Sequence, residues 1–216
     1  MGRSSIGCRC PRGPRMDYDR AMMTAIEQTR PDLRDPEDLP TGPLYVFGYG
    51  SLLWRPGFSY IERQMARIHG YHRALRVWSF HHRGTEEQPG LVLGLDVGGS
   101  CVGCVFRVEA EDRLEVARYL WAREMVTSVY CPRLVPVRVE DGSRITALTF
   151  VLDRSHVQYA GSISPETAAS HVIHARGLSG CNPEYVRETL AGLDRLGVHD
   201  GTLHQVVRTL NHMEVD

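Results

Sequence analysis

A short apolar run that ends at two glycines stands out in the sequence Tyr45-Val46-Phe47-Gly48-Tyr49-Gly50-Ser51-Leu52-Leu53-Trp54. The β-forming residues from Leu44 to Phe47 predict a strand. Gly48 and Gly50 permit backbone angles that other residues resist, so they predict a tight turn directly after it. Successive N–H groups in such a turn lack sheet partners and can bind an anion or a carbonyl oxygen. A plain turn after an edge strand has the same pattern, so this stretch alone leaves both interpretations open.

The composition is that of a globular protein with a full hydrophobic core. The chain has 216 residues, of which 42% are hydrophobic and 24% charged, and its formal net charge is −1. This balance gives no reason to expect nucleic acid or an anionic membrane as a partner. No apolar run approaches the ~20 residues that span a bilayer. Six cysteines at irregular spacing predict reduced thiols and a cytoplasmic location.

Two groups of potential metal ligands, Cys101-Val-Gly-Cys104 and His81-His82, are weak candidates. A zinc site needs a second pair of ligands at the usual spacing, which the sequence lacks. Residues three apart in a strand point to opposite faces, so the two cysteines are predicted to be structural. We therefore expect no metal and no cofactor. A thiol enzyme or a zinc module based on Cys101 and Cys104 ranks last among the alternatives.

The chain divides into an extension and one domain. Residues 1–41 are rich in arginine and proline and lack the apolar core of a secretory signal, so we predict a mobile leader. Residues 42–216 are predicted to form a single domain. Its first part is mainly β, and the glycine-containing segments Gly98-Gly99-Ser100 and Glu140-Asp141-Gly142-Ser143 each predict a hairpin.

The C-terminal third is predicted to be helical. Ser164-Pro165-Glu166 combines an N-cap, a first-turn proline and an acid, and starts a helix that is predicted to run to about Arg176. Asn182-Pro183-Glu184 starts the next helix, which Gly197 ends, and a last helix carries apolar residues from Leu203 to Leu210. Strands first and helices later indicate an α+β fold.

One helix interrupts the β region and carries a carboxylate in an unexpected place. Its apolar face is formed by Leu114, Ala117, Leu120, Trp121 and Met125, which recur at helical spacing. Glu124 lies on the same face. A buried carboxylate must be paired, protonated or directed into a pocket, and desolvation makes it a stronger base. The alternative is a frayed helix end where Glu124 pairs with Arg123 or Arg118, and spacing alone does not separate the two.

Several blocks in the same order resemble the ChaC-like glutathione-specific γ-glutamylcyclotransferases. The resemblance covers roughly Leu44 to Leu210. It rests on these motifs: Val46-Phe47-Gly48-Tyr49-Gly50-Ser51-Leu52, His82-Arg83-Gly84, Pro89-Gly90, Tyr119-Leu-Trp-Ala-Arg123-Glu124 with Tyr130, Tyr159-Ala-Gly161, and Gly177-Leu-Ser-Gly180-Cys-Asn182-Pro-Glu-Tyr185. The chain departs from the family pattern at Ser128-Val129, where relatives often carry two glycines.

The resemblance implies a small mixed β-barrel with surrounding helices, and cleavage of glutathione to pyroglutamate and cysteinylglycine without metal or cofactor. It places the catalytic glutamate at Glu124 and a neighbouring tyrosine at Tyr130. The remaining predicted substrate-binding residues are Val46, Phe47, Gly48, Tyr49, Gly50, Ser51, Leu52 and Arg83.

Several functional alternatives stay open at this point. The amides of residues 49–51 can bind either the oxyanion or the substrate α-carboxylate. Tyr49 and Tyr130 either assist the reaction or only pack, and Arg83 either binds a carboxylate or is solvated. The rival functions are a cyclotransferase for other γ-glutamyl amino acids or amines, and a non-catalytic γ-glutamyl-binding regulator. We expect a monomer with a small-molecule substrate.

Overall fold

The computed structural model describes residues 33–214. Residues 1–32, most of the predicted mobile leader, lie outside the described residues. The rest of that segment packs on the folded domain, since Leu33 and Leu39 are buried in the main core and Arg113 donates to the Leu39 carbonyl at 2.7 Å. The division into a leader and a domain at residue 41 stays a prediction.

Five strands form a closed barrel with the neighbour order β1-β3-β2-β4-β5. Their bounds are β1 Leu44–Gly48, β2 Glu62–Ser79, β3 Gly90–Val108, β4 Tyr130–Val139 and β5 Arg144–Leu152. Strand β1 pairs antiparallel with β3, and a parallel pairing of Val46 with Leu148 of β5 closes the barrel. The predicted strand before the glycine pair is therefore confirmed, and it has neighbours on both sides rather than lying at an edge.

The hairpin predicted at Gly98-Gly99-Ser100 is wrong. Strand β3 runs through this segment and pairs with β2 on both sides of it, with a register shift between His69 and Tyr71. Gly98 and Gly99 have φ values of 105° and 70°, so the glycine pair forms a β-bulge instead of a turn. Residues with positive φ occur both in hairpin turns and in β-bulges, so the sequence alone does not distinguish the two. The chain reverses instead in the loop between β2 and β3.

The second predicted hairpin is confirmed. Strands β4 and β5 pair antiparallel from Tyr130–Leu152 to Arg138–Arg144. Gly142 has a φ of 86° and donates its N–H to the Val139 carbonyl at 3.0 Å. The turn thus requires the left-handed conformation that glycine adopts at no steric cost.

Four α-helices occur in the described part of the chain, with the bounds α1 Arg113–Glu124, α2 Pro165–Val172, α3 Asn182–Arg195 and α4 Gly201–Met213. Ser164 caps α2 as predicted, by accepting a hydrogen bond from the Thr167 N–H. This helix ends at Val172, before the predicted end at Arg176, because Arg176 begins a short two-stranded ribbon, β6 Arg176–Gly177 with β7 Gly180–Cys181. None of the helices in residues 33–214 is both long and apolar enough to cross a membrane.

Buried side chains divide between the two faces of the strands. One cluster joins strand residues such as Phe106 and Cys104 to the helices, and a second contains strand residues such as Phe47 and Cys101 without any helix. The two cysteines therefore lie on opposite faces, as their spacing predicts, and both are free thiols.

Candidate active site

A cavity of about 490 Å³ opens between the turn after β1, the ends of β2 and β3, the C-terminus of α1 and the N-terminal half of α3. Its volume and mixed polar lining suit a small polar molecule. Most of the residues predicted for the site line this cavity: Phe47, Tyr49, Gly50, Ser51, Leu52, Arg83, Glu124 and Tyr130. The fold thus brings together segments that are up to 83 residues apart in the printed sequence.

Val46 and Gly48 are predicted site residues that do not line the cavity. Val46 is fully buried in the cluster that faces the helices, because neighbouring residues in a strand point to opposite faces. A Cβ at Gly48 would lie 3.0 Å from the Leu52 Cβ and 3.2 Å from the Phe106 ring. Gly48 therefore lets the turn fold back tightly on the barrel.

The turn after Gly48 leads directly into a short 3₁₀ helix, Ser51–Leu53, with Gly50 as its N-cap. The Leu53 N–H donates to the Gly50 carbonyl at 2.9 Å, and the Arg55 N–H donates to the Ser51 carbonyl at 2.9 Å. The leading N–H groups of a helical turn have no acceptor within the turn. These hydrogen bonds fix the turn, and Gly50 and Ser51, whose N–H groups lead it, line the cavity.

Glu124 is the last residue of α1, and its side chain is 19% exposed. Its Oε1 lies 3.2 Å from the Arg123 Nε. Burial raises the pKa of the Glu124 carboxyl above its ordinary value, and the Arg123 charge only partly offsets this effect. Both interpretations of the sequence therefore hold together: Glu124 pairs with Arg123 and also faces the cavity.

Three tyrosines, the buried Tyr49 and the half-buried Tyr130 and Tyr185, lie close enough to Glu124 for its charge to affect their ionisation. Burial is the main cause that raises the pKa of each phenol, so all three remain protonated. Tyr49 donates to the Phe150 carbonyl at 3.0 Å and Tyr130 donates to the Leu93 carbonyl at 2.7 Å. Their hydroxyl hydrogens are thus already engaged, while a hydroxyl oxygen can still accept a hydrogen bond.

Arg83 is half-buried rather than solvated. Its Nη1 donates to the Cys181 carbonyl at 3.1 Å, and its guanidinium lies 5.2 Å from the centre of the Tyr185 ring. The cation is therefore held at the cavity by α3 and the residue before it. Within the described residues, no group of three or more histidine, cysteine or acidic side chains is arranged to hold a metal ion.

Arg123 is a site residue that the sequence analysis considered only as an ion-pair partner. Its Nη2 donates to the Ser51 Oγ at 2.8 Å, and its Nη1 donates to the Arg55 carbonyl at 2.9 Å and to the Pro56 carbonyl at 3.1 Å. One guanidinium therefore joins the end of α1 to the turn. Its position beside Glu124 was the available signal, but the contacts span about 70 residues of sequence.

Comparison with known proteins shows where the chain belongs. The model of the ChaC-like protein family matches residues 44–213. The glutathione-specific γ-glutamylcyclotransferase of Escherichia coli is 32% identical over 187 residues, which cover 87% of this chain and 78% of the relative. The protein of the same name from Schizosaccharomyces pombe is 33% identical, over 76% of this chain and 90% of its own length.

The barrel also has a counterpart among solved structures. A glutathione-specific γ-glutamyl cyclotransferase from yeast superposes with a TM-score of 0.73 at 22% identity, covering 80% of this chain and 97% of that one. The predicted γ-glutamylcyclotransferase-like fold is thereby confirmed. With the family model matching most of the chain, this protein is a member of the ChaC-like family.

Proposed function

We propose that the protein degrades glutathione by intramolecular cyclisation, which releases 5-oxoproline and cysteinylglycine. One observation carries the proposal: a sheltered carboxylate with a raised pKa, Glu124, shares a cavity with the turn at residues 49–51. The names of the Escherichia coli and Schizosaccharomyces pombe relatives support glutathione as the substrate.

The reaction closes a five-membered ring within one molecule. The α-amine of the γ-glutamyl group attacks its own γ-carbonyl carbon, and the bond between that carbon and the cysteine nitrogen then breaks. Because the nucleophile and the carbonyl belong to the same substrate, the protein needs mainly to hold them in a reactive conformation. The cavity walls formed by Phe47 and Tyr49 can restrict the substrate in this way.

Glu124 acts as the general base and then as the general acid. As a carboxylate it takes a proton from the substrate ammonium, which frees the nitrogen lone pair for attack. It then gives this proton to the leaving nitrogen, so that cysteinylglycine departs as an amine, and the second proton, which the attacking nitrogen loses as the lactam forms, passes to solvent. A raised pKa suits this alternation, because a stronger base accepts the first proton more readily.

Polar groups around the cavity suit the rest of the substrate. The Tyr130 hydroxyl oxygen can accept a hydrogen bond from the ammonium, since its hydrogen is engaged with the Leu93 carbonyl. Arg83 can pair with a substrate carboxylate, because its guanidinium is fixed at the cavity wall. The N–H groups of residues 49–51 are available for the charge on the tetrahedral oxygen.

Incubation of the purified protein with glutathione tests the proposal directly. We expect equal amounts of 5-oxoproline and cysteinylglycine, measured by mass spectrometry, with no added metal or cofactor. A panel of γ-glutamyl dipeptides and γ-glutamyl amines serves as the control for substrate range. Turnover of the panel without turnover of glutathione contradicts the proposed substrate. Calorimetric binding of glutathione without any product contradicts catalysis. A monomeric state and a cytoplasmic location remain part of the proposal, and light scattering checks the first.

A further inference from the structure

A second cavity, of about 440 Å³, is linked to the active-site turn by a hydrogen bond from one of its lining residues, Arg73. Arg73 and Asp200 help to line this second cavity, whereas Tyr49 and Gly50 line the active-site cavity. The Arg73 Nε donates to the Tyr49 carbonyl oxygen at 2.5 Å. The peptide between Tyr49 and Gly50 therefore has its carbonyl engaged from the side of the second cavity.

Arg73 is held in this position by two more contacts. Its Nη2 donates to the Val102 carbonyl at 2.7 Å, and its Nη1 lies 3.3 Å from the Asp200 Oδ2. The Arg73 side chain is only 5% exposed. Asp200 is itself fixed, because its other carboxylate oxygen accepts the Leu203 N–H as the N-cap of α4. A buried guanidinium with three acceptors has little freedom to leave the Tyr49 carbonyl.

The orientation of the Tyr49 carbonyl determines that of the Gly50 N–H. A peptide group is planar, and in the trans form its C=O and N–H point in opposite directions. No cis peptide bond occurs in residues 33–214. Since the carbonyl points toward Arg73, the Gly50 N–H points away from Arg73, and Gly50 itself lines the active-site cavity.

We propose that Arg73 is a positioning residue, which fixes the Gly50 N–H as a donor to the oxygen of the tetrahedral intermediate. This inference rests on the proposed function. Without Arg73 the buried Tyr49 carbonyl loses its hydrogen-bond partner. A conformation in which the peptide group between Tyr49 and Gly50 is rotated then becomes similar in energy to the observed one. A rotated peptide directs the carbonyl oxygen toward the developing negative charge, which opposes the reaction instead of assisting it.

The kinetic constants of Arg73→Ala and Arg73→Lys test this inference. We expect Arg73→Ala to lower kcat about 100-fold, the range seen when one oxyanion donor is lost, with KM within about threefold of wild type. Arg73→Lys keeps the charge opposite Asp200 but lacks the guanidinium fork, so a loss of about tenfold is expected while the protein remains folded. The matched control is Arg67→Ala, on the same strand and cavity, because Arg67 contacts the Ser100 hydroxyl and not the turn.

Chemical rescue separates positioning from a general structural role. Millimolar methylguanidinium can occupy the space left in Arg73→Ala and is expected to restore part of kcat, with no effect on Arg67→Ala. Folded Arg73 variants with unchanged kcat, or with a change in KM alone, overturn the inference. These results are interpretable because the wild type is assayed first: an inactive wild type refutes the proposed function, whereas an active wild type with active Arg73 variants refutes only the role of Arg73.

Discussion

Two carboxylates that are sheltered from solvent have pKa values shifted in opposite directions. Glu124, at the active-site cavity, has one cation beside it, and burial raises its pKa. Asp96, on β3, is completely buried and accepts hydrogen bonds from Arg76, from Arg154 at 2.6 Å and from the Tyr159 hydroxyl at 2.9 Å. Burial alone would raise the pKa of Asp96, but these donors outweigh it and lower the value to about 2.

The contrast separates a structural carboxylate from a reactive one. Asp96 joins β2, β3 and the segment after β5, and its donors leave it no tendency to take up a proton. Glu124 has fewer donors, so its negative charge is poorly compensated. A carboxylate in that state gains most from accepting a proton, and this is the property that a general base requires.

The largest effect is expected for Glu124→Gln. Glutamine has the same size but cannot exchange a proton, so kcat for 5-oxoproline release should fall about 10³-fold, within the range for general acid–base catalysis. The assay is release of 5-oxoproline at saturating glutathione. Glu115→Gln on the exposed side of the same helix is the control and should keep wild-type turnover. Near-normal turnover of Glu124→Gln means that another group is the base.

Asp96→Asn should affect stability instead of chemistry. Removing the charge leaves Arg76, whose side chain is 19% exposed, without a compensating anion. We expect a loss of about 3–5 kcal/mol in the free energy of unfolding, as is typical when one partner of a buried pair is removed. Urea denaturation measures this value. Turnover per folded molecule should be unchanged at a temperature well below the unfolding transition. A specific loss of kcat would contradict the assignment of Asp96 as a structural carboxylate.

The stability provided by Asp96 should depend on acid pH. Its folded pKa of about 2 lies below the ordinary value of 3.8, so the folded state favours the ionised form. This contribution is present above about pH 4 and disappears as the pH falls toward 2, which amounts to about 2 kcal/mol. The difference in unfolding free energy between wild type and Asp96→Asn should narrow by that amount over this range. A constant difference would contradict the lowered pKa.

Glu124→Gln should also stabilise the protein slightly at neutral pH. The raised pKa means that the folded state favours the protonated form, so the ionised carboxylate costs stability above its ordinary pKa. Replacing it with a neutral side chain should raise the melting temperature by a few degrees at pH 7, since 1 kcal/mol corresponds to about 2–4 °C in a domain of this size. The gain should vanish below about pH 4. A lower melting temperature at pH 7 would show that the pair with Arg123 dominates.

The smallest effect is expected at Ser128, in the loop that follows Glu124. Ser128 has a φ of 57°, the left-handed conformation that glycine adopts most readily. Ser128→Gly should therefore stabilise the fold by about 0.5–1 kcal/mol, after the greater entropy of glycine in the unfolded chain is subtracted. Thermal unfolding provides the measurement. Ser128→Ala keeps a Cβ and should show no such gain, so an equal gain in both variants would exclude the backbone explanation.

Local sequence rules predicted a large part of this fold. The strand before Gly48, the turn at Gly142, the Ser164 cap of α2 and the start of α3 at Asn182 follow from preferences that act within a few residues. The wrong prediction of a hairpin at Gly98-Gly99 also arose from a local preference. Positive φ is a local property, but whether it produces a turn or a bulge depends on the strand alongside, which here is β2.

The candidate site was predictable only in part. Glu124 was identifiable because a carboxylate on an apolar helical face contradicts the pattern around it. Arg123 and Tyr185 lie in the motifs that resemble the family, but their contacts at the site, like those of Arg73, depend on partners that are distant in the sequence. The departure at Ser128-Val129 was visible in the sequence, whereas the left-handed backbone of Ser128 was not.

By itself, the sequence determined the strand, the glycine turn, the cap of α2 and the presence of one carboxylate on an apolar helical face, because these depend on backbone preferences and on periodicity. Only the tertiary structure decided that Glu124 shares a cavity with the turn, that Asp96 is fully compensated while Glu124 is not, and that Arg73 holds the Tyr49 carbonyl. The acidity of a buried group depends on how much water and how many donors surround it. Those neighbours come from distant parts of the chain, and they are assembled only when the barrel closes.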